Sequence, residues 1–358
     1  MNYFNVLNYG AIADNGITDN TAAFNSAYAA AQLAGGDVYI PGNANGDAFA
    51  INQWNLGYTG VNEHNPAVRI IGDGQGRTIL CPFSNNQTLI NYSQSGGYNT
   101  FQLGPKLEGM SLEGLNKTGC EGIKIRAVFQ PNFEDLWIEN FPLNGIRIIN
   151  QGVPIGDYDA SNQLFFKHVR IKNCKNWGIY VDAAPANNET SFMVLESCFI
   201  TECGTPGWVG GGMFWKGQCL TLSNSAFTRN QNSGLWVPGG AGLSSNLLTL
   251  NTVFENNYKR HITILGIKNA DFHSLQMYSN DTWKTDYGIY LNAADAVISN
   301  VKVHSCKLRA TAGNNPHVAF LGVGANLVGS KCNYVANQLN LDNYGYAGQT
   351  LNVGWTAV

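Results

Sequence analysis

From Val68 onward the chain repeats one pattern: Gly, then apolar–x–apolar, a turn, two further short alternating segments, a polar turn, and Gly again. The clearest units open Gly122-Ile-Lys-Ile, Gly145-Ile-Arg-Ile, Gly178-Ile-Tyr-Val, Gly212-Met-Phe-Trp, Gly234-Leu-Trp-Val and Gly288-Ile-Tyr-Leu, with His261-Ile-Thr-Ile and His317-Val-Ala-Phe in the two remaining places. The first five start 23, 33, 34 and 22 residues apart, so one coil carries insertions of varying length. Alternation of period two argues strands, and a recurring unit of this size argues a solenoid in which each coil buries its apolar face against its neighbours. Between the second and third strands of each coil falls a bend that holds Asp135, His168, Ser197, Asn224, Asn251, Ser274 and Asn300. Small polar residues stacked at a sharp bend satisfy backbone groups from coil to coil, so this row, His168 included, reads as structural.

Upstream of the repeats the period changes. Ala23, Phe24, Ala27, Ala30 and Ala31 recur at helical spacing, Thr18 or Asp19 stands where an N-cap belongs, and Gly35-Gly36 stands where the helix must end. Val38-Tyr-Ile follows as a short strand stopped by Pro41. A solenoid exposes core and unpaired strand edges at its ends, and a short amphipathic helix covers one of them. The expected organisation is an N-terminal strand, capping helix and first turns over 1–66, coils over 67–338, and a C-terminal tail or cap over 339–358.

Composition agrees with an all-β chain. Only 13% of the 358 residues are charged, against about a quarter in ordinary domains, while Gly reaches 41, which puts residues into turns and few onto solvated helix faces. A net charge of -3 excludes an extended nucleic-acid footprint, which needs many Lys and Arg. No apolar run is long enough to cross a bilayer, so membrane insertion is not expected. Met1-Asn2-Tyr3-Phe4 lacks a basic segment followed by an apolar one, so no secretory signal is expected in this stretch. Cys81, Cys120, Cys174, Cys198, Cys203, Cys219, Cys306 and Cys332 show no short metal-ligand spacing. Buried free thiols, with no metal and no cofactor, are the expectation.

The string Tyr9-Gly-Ala, then Asp14-x-Gly-x-Thr-Asp19-x-Thr-Ala-Ala, then Gly-Gly-x-Val-Tyr-Ile-Pro41, resembles the amino-terminal signature of the pectate-lyase-like superfamily, which includes polysaccharide lyases, some glycosidases, mannuronan epimerases and phage tailspikes. The resemblance implies a single-stranded right-handed parallel β-helix with a short N-terminal capping helix; the handedness comes from the resemblance alone. It also implies a phage or prophage depolymerase, extracellular or virion-associated, assembled as a homotrimer. Members usually continue Pro-x-Gly-x-Tyr, whereas this chain reads Pro41-Gly-Asn-Ala-Asn-Gly, so the turn after the cap is expected to be rebuilt.

If the apolar residues of Gly-Ile-Tyr-Val point inward, the third position points out, which gives a stripe of Lys124, Arg147, Tyr180, Phe214, Trp236, Thr263, Tyr290 and Ala319. A row of exposed aromatics marks an interaction site, and sugar rings stack their C–H faces on such a row. The competing reading is a cover formed by a loop or a neighbouring subunit. The next outward position supplies Arg126, Asp182, Lys216 and Asn292, so one end is locally basic and an anionic polymer fits it. Long turns, where binding and catalysis concentrate, overhang the same coils: 150–162 with Asp157 and Asp159, 182–191 with Glu189, 238–246, and 203–211 with Trp208. Glycoside hydrolysis needs two carboxyls, and Asp157, Asp159, Asp182 and Glu189 are the acids expected to flank the stripe, with Glu139 and Glu255 in second rank. A lyase would instead draw its base from Tyr180, Lys216 or Arg147 and neutralise a uronate with Arg or Ca²⁺. The chain lacks the clustered aspartates of calcium-dependent pectate lyases, the Tyr-Gly-Phe-Asp-Pro-His string of mannuronan epimerases, and the Asp pairs of polygalacturonases. The expected function is hydrolytic cleavage of an extended surface polysaccharide or exopolysaccharide, with a lyase and a non-catalytic glycan-binding spike as alternatives.

Overall fold

The computed structural model describes residues 2–56, 68–93, 104, 106–115, 117–126, 128–150, 161, 163–183, 192–207, 210–239, 246–279, 287–292, 298, 301–304, 307–310, 318–323, 332–335, 338–339 and 355–357. Their strands form two sheets, one of ten strands and one of 22. Each central coil gives one strand to the first sheet and two to the second, as Trp177–Ala183 followed by Phe192–Glu196 and Phe199–Thr201. Every coil pairs parallel with the next; Trp177–Ala183, for example, pairs with Gly211–Lys216. The stacking reaches both terminal segments: Tyr3–Asn5 pairs with Asp37–Tyr39, and Trp355–Ala357 with Cys332–Tyr334.

The bend is built by left-handed backbone. Asp135, His168, Ser197, Asn224, Asn251 and Ser274 have φ of 52°, 53°, 53°, 49°, 48° and 55°, a region that short polar side chains tolerate best. Asn300, the seventh residue expected there, lies outside the described residues. Each bend donates its amide to the coil below: His168 N–H to Glu196 O, Ser197 to Ser223, Asn224 to Leu250 and Asn251 to His273, at 2.9–3.2 Å. A second left-handed row, Asn140, Asn173, Glu202, Arg229 and Asn256, closes the third strand in the same way.

The repeated glycine has a packing cause. A Cβ on Gly212 would lie 2.4 Å from the next coil's Gly234 carbonyl oxygen and 3.1 Å from Phe227, so the coil has no room for a side chain there. At the sixth place the chain has His261 instead, on the strand Arg260–Ile264. The imidazole is fully buried, its Nδ1 accepting from Asn257 Nδ2 at 3.2 Å and its Nε2 lying 3.1 Å from Ser279 Oγ. Asn257 Oδ1 in turn accepts from the amide and Nδ2 of Asn230, so a polar chain runs through a largely apolar interior. Stacked pairs Phe133–Phe166 at 4.8 Å and Phe227–Phe254 at 5.0 Å show how like residues repeat between coils.

The cap is a helix over Thr21–Ala34, ended by Gly35 at φ 68°. Its N-cap is Asn20, later than either residue the sequence suggested. Asn20 is buried and pinned by its side chain to Ile12, Thr18 and Ala50. Asp19 instead accepts from the Thr21 amide and Asn52, while Asp14 accepts from Ile17 and Thr18. The Asp-x-Gly-x-Thr-Asp signature therefore fastens the cap to the first coils. The helix buries Tyr28 where Ala30 was expected. The rebuilt turn after Pro41 is closed by reciprocal Asn43–Asp47 hydrogen bonds at 2.8 Å. Among the described residues no helix is long and apolar enough to cross a membrane. Cys81, Cys120, Cys174, Cys198 and Cys203 are buried free thiols and Cys219 is half-buried; burial pushes the Cys81 and Cys198 thiols up to about 12.

Candidate functional site

Hydrogen-bond register places Lys124, Arg147, Tyr180, Phe214, Trp236, Thr263 and Tyr290 on successive rungs of the ten-stranded sheet. Two positions need correction. The rung after Tyr290 is Leu321, not Ala319, because Val318 pairs with Tyr287 and the last strand sits two residues from the expected register. Thr263 is fully buried and hydrogen-bonds Ser233 Oγ at 2.8 Å, so the stripe is interrupted there. What remains is an aromatic shelf, and beyond the gap Tyr290 with the Arg260 guanidinium 3.8 Å over its ring.

In the shelf, Tyr180 and Phe214 stack at 4.8 Å with planes 19° apart, the spacing of neighbouring strands. Trp177, which the alternation did not single out, packs against Phe214 and Trp236, almost wholly buried, with its ring 5.6 Å from Phe214 and 6.5 Å from Trp236. Its rung partner is Gly211, where a Cβ would come within 3.1 Å of the indole. The run Gly210-Gly211-Gly212, one coil after a tryptophan that directly precedes Gly178, is the signal the sequence offers.

Polar groups line the next outward row. Asp182 and Lys216 are rung partners, with Nζ 3.0 Å from Oδ1. The Tyr180 hydroxyl donates to Asp182 Oδ2 at 3.3 Å, and burial, reinforced by Asp182, raises its phenol above the ordinary value, so it stays protonated at neutral pH. Asn292 donates to the Tyr290 hydroxyl at 3.1 Å. Arg126 extends this row toward the basic end, level with Ser93 of the preceding coil. Glu121, which the sequence reading missed, lies beside Arg147: its Oε2 is 2.8 Å from Arg147 Nε, and its Oε1 accepts from Thr88 Oγ1 at 2.8 Å.

Of the four acids expected to act, the structure describes Asp182; Asp157, Asp159 and Glu189 lie outside the described residues, as does Trp208. Glu139 and Glu255 share one ladder of the 22-stranded sheet but stand four rungs apart, about 19 Å, too far to act together. Glu139 is instead the rung partner of Glu113, whose carboxyl is pushed up to about 6 by burial and by Glu139. Among the described residues Glu134, Asp135 and His168 could offer three ligand atoms within 4.8 Å of one another. Lys106 and Lys167 already pair with Glu134, at 2.7 and 3.2 Å, and compete with a cation there.

A family model described as "Right handed beta helix region" matches residues 195–353. The fold is the right-handed parallel β-helix. Among solved structures, this β-helix is similar to ORF18 of Geobacillus virus E2, at 15% identity and a TM-score of 0.62 over 94% of this chain and 62% of that one. The chain thus spans less than two thirds of the viral protein. The A-module of mannuronan C-5 epimerase AlgE4 from Azotobacter vinelandii is similar at 15% identity and a TM-score of 0.61, over 94% of this chain and 95% of the module. An alginate lyase from Paenibacillus sp. FPU-7 is similar at 13% identity and a TM-score of 0.52, over 83% and 97%. Identities this low establish a shared fold. Comparison with curated protein sequences gives no match.

Proposed function

We propose that this β-helix is a polysaccharide depolymerase that lays an extended glycan along the ten-stranded face and cleaves it beside Asp182. The observation that carries the reading is the shelf of Trp177, Tyr180, Phe214 and Trp236 directly alongside the Asp182–Lys216 pair. Rings on a rigid scaffold bind sugar faces with little ordering cost, and a carboxylate held by a lysine and a phenol keeps one orientation. In the hydrolytic form Asp182 is the base or nucleophile, and the acid comes from Asp157, Asp159 or Glu189 in the long turns; no metal or cofactor takes part. The lyase and epimerase among its structural neighbours, and the viral origin of another, support a polymer substrate and an extracellular or virion-associated setting. Assembly as a homotrimer belongs to the same reading.

One observation favours elimination as a second reading. Tyr180, kept protonated, stands between Arg147 and Phe214 on the stripe and bonds Asp182, which pairs with Lys216; in this set Arg147 neutralises a uronate, Asp182 takes the proton beside its carboxylate, and Tyr180 protonates the leaving oxygen. The test is incubation with a panel of acidic and neutral polysaccharides, following reducing ends and ultraviolet absorbance together. New reducing ends without absorbance support hydrolysis, and matched absorbance supports elimination. Binding with neither signal would sink the catalytic half of the proposal and leave a glycan-binding spike.

A further inference from the structure

Glu121 plays no part in ring stacking, yet among the described residues it is the most enclosed acid on this face. Its side chain is 5% exposed although it stands on the outer surface of the sheet. Thr88 Oγ1 from the preceding coil donates to Oε1 at 2.8 Å. Oε2 lies 2.8 Å from Arg147 Nε, with the N–H not aimed along the line between them, so both atoms are enclosed without a completed hydrogen bond. Taking a carboxylate and a guanidinium out of water is costly, and two apolar side chains of similar volume would join these coils at least as well. The pair does something an apolar staple cannot: it holds a cation at a fixed height on the face.

That cation is only partly covered. Arg147 keeps 34% of its side chain open, and its planar fork carries five N–H donors, of which Glu121 approaches one. Register sets Lys124 on the rung before it and Tyr180 on the rung after it. Its charge reaches the Tyr180 phenol, pulling it down against the larger upward push of burial. Arg147 therefore stands at the border between the basic end of the stripe and the aromatic shelf.

We infer that Arg147, positioned by Glu121 and Thr88, is a carboxylate-recognising subsite, and that the polymer on this face carries an acidic sugar whose carboxylate sits on Arg147 one rung, about 4.8 Å, from the ring stacked on Tyr180. The inference rests on the reading that a glycan lies along this sheet. A carboxylate is assigned because its two in-plane oxygens match the guanidinium fork, which a tetrahedral sulfate matches less well. Glu121 is a positioning residue: without it Arg147 is an ordinary flexible side chain that must be ordered when the sugar binds.

The experiment is titration calorimetry on the full chain with oligogalacturonate, oligoalginate and hyaluronan fragments, each beside its own carboxyl-reduced neutral form, and with dextran sulfate as the sulfate arm. Wild type is expected to prefer at least one acidic chain over its reduced form by about tenfold or more. Arg147→Ala abolishes that preference and leaves binding of the reduced chain in place. Glu121→Gln narrows the preference, and Arg147→Lys restores part of it relative to Arg147→Ala. Because a single change leaves a buried charge unpaired, the double variant Glu121→Gln/Arg147→Met keeps the packing, and loss of the acid-to-neutral ratio in that folded protein supports the subsite. An unchanged ratio in the double variant, equal binding of acidic and reduced chains by wild type, or a preference for dextran sulfate over every carboxylate chain overturns it. In those cases weakened binding of every chain by Trp236→Ala shows that the face itself still holds glycan. If no chain binds wild type, the reading of the face fails and this inference fails with it.

Discussion

On the ten-stranded sheet, Tyr180 and Phe214 lie ring on ring, with Trp177 packed against Phe214 and Trp236. On the outer surface of the 22-stranded sheet, Phe165, Phe192 and Phe199 stand 40%, 53% and 36% exposed, and Arg170 spans Trp137 and Phe199 at 4.5 and 5.7 Å. The charges differ in the same way. Across the 22-stranded sheet Arg69, Lys106 and Lys167 are tied to Glu108 and Glu134 in a ladder that runs from coil to coil. On the ten-stranded sheet Asp182, Lys216, Arg147 and Glu121 gather around the rings. On both surfaces the ion pairs join neighbouring coils; on the ten-stranded sheet they also stand next to a stacked aromatic platform, which is why the ligand site is proposed there.

The sharpest way to break this comparison is to neutralise one acid on each face. Asp182→Asn is expected to cut product formation roughly 10²–10⁴-fold with an unchanged melting temperature, while Glu134→Gln leaves activity within about twofold. Equal loss in both variants would erase the distinction. Phe254→Ala, which removes an internal ring stacked on Phe227 beneath both sheets, should cost about 3–5 kcal/mol in urea unfolding, far more than any exposed phenylalanine. Phe214→Ala should weaken glycan binding about tenfold, roughly 1.4 kcal/mol, whereas Phe192→Ala on the other sheet should leave it unchanged.

The smallest effect concerns pH. Burial and Glu139 raise the folded Glu113 carboxyl to about 6, from an ordinary 4.5. An acid with a raised folded value contributes stability that is present below about 4.5 and lost as the pH rises through about 6. Glu113→Gln should therefore match wild type near pH 4 and exceed it at pH 7 by on the order of 1 kcal/mol, after allowance for solvent screening of a half-exposed group. Urea melts at the two pH values check this, and an identical pH slope in the variant would refute it.

The residues reveal the coils because each coil needs the same things: a glycine where Gly212 meets Gly234, a left-handed polar bend at Asn224, and alternating Ile and Val inside. They reveal Tyr180, Phe214 and Trp236 because alternation gives direction. Alternation is blind to cover, so Thr263 looked exposed while larger neighbours close over it. It is equally blind to a slip of two residues, which leaves every side chain on its face, so it points to Ala319 where the register puts Leu321. Trp177 and Glu121 escaped because both sit at the entry of a strand, ahead of the regular alternation, where the following coil decides what they touch. The pairing of Asp182 with a second acid stays a proposal, since Asp157, Asp159 and Glu189 belong to insertions that no repeat constrains.

The buried chain Asn230–Asn257–His261–Ser279 has a consequence for assembly of the coils themselves. A stack of identical apolar rings would be nearly as content one coil out of place, since each ring meets another ring either way. Directional donors and acceptors work as a key: Asn230 finds the side-chain carbonyl of Asn257, 27 residues on, when these two coils are consecutive and in this order, while Asn257 meets His261 within its own turn. The polar thread acts as an index mark that tells a growing solenoid which coil comes next.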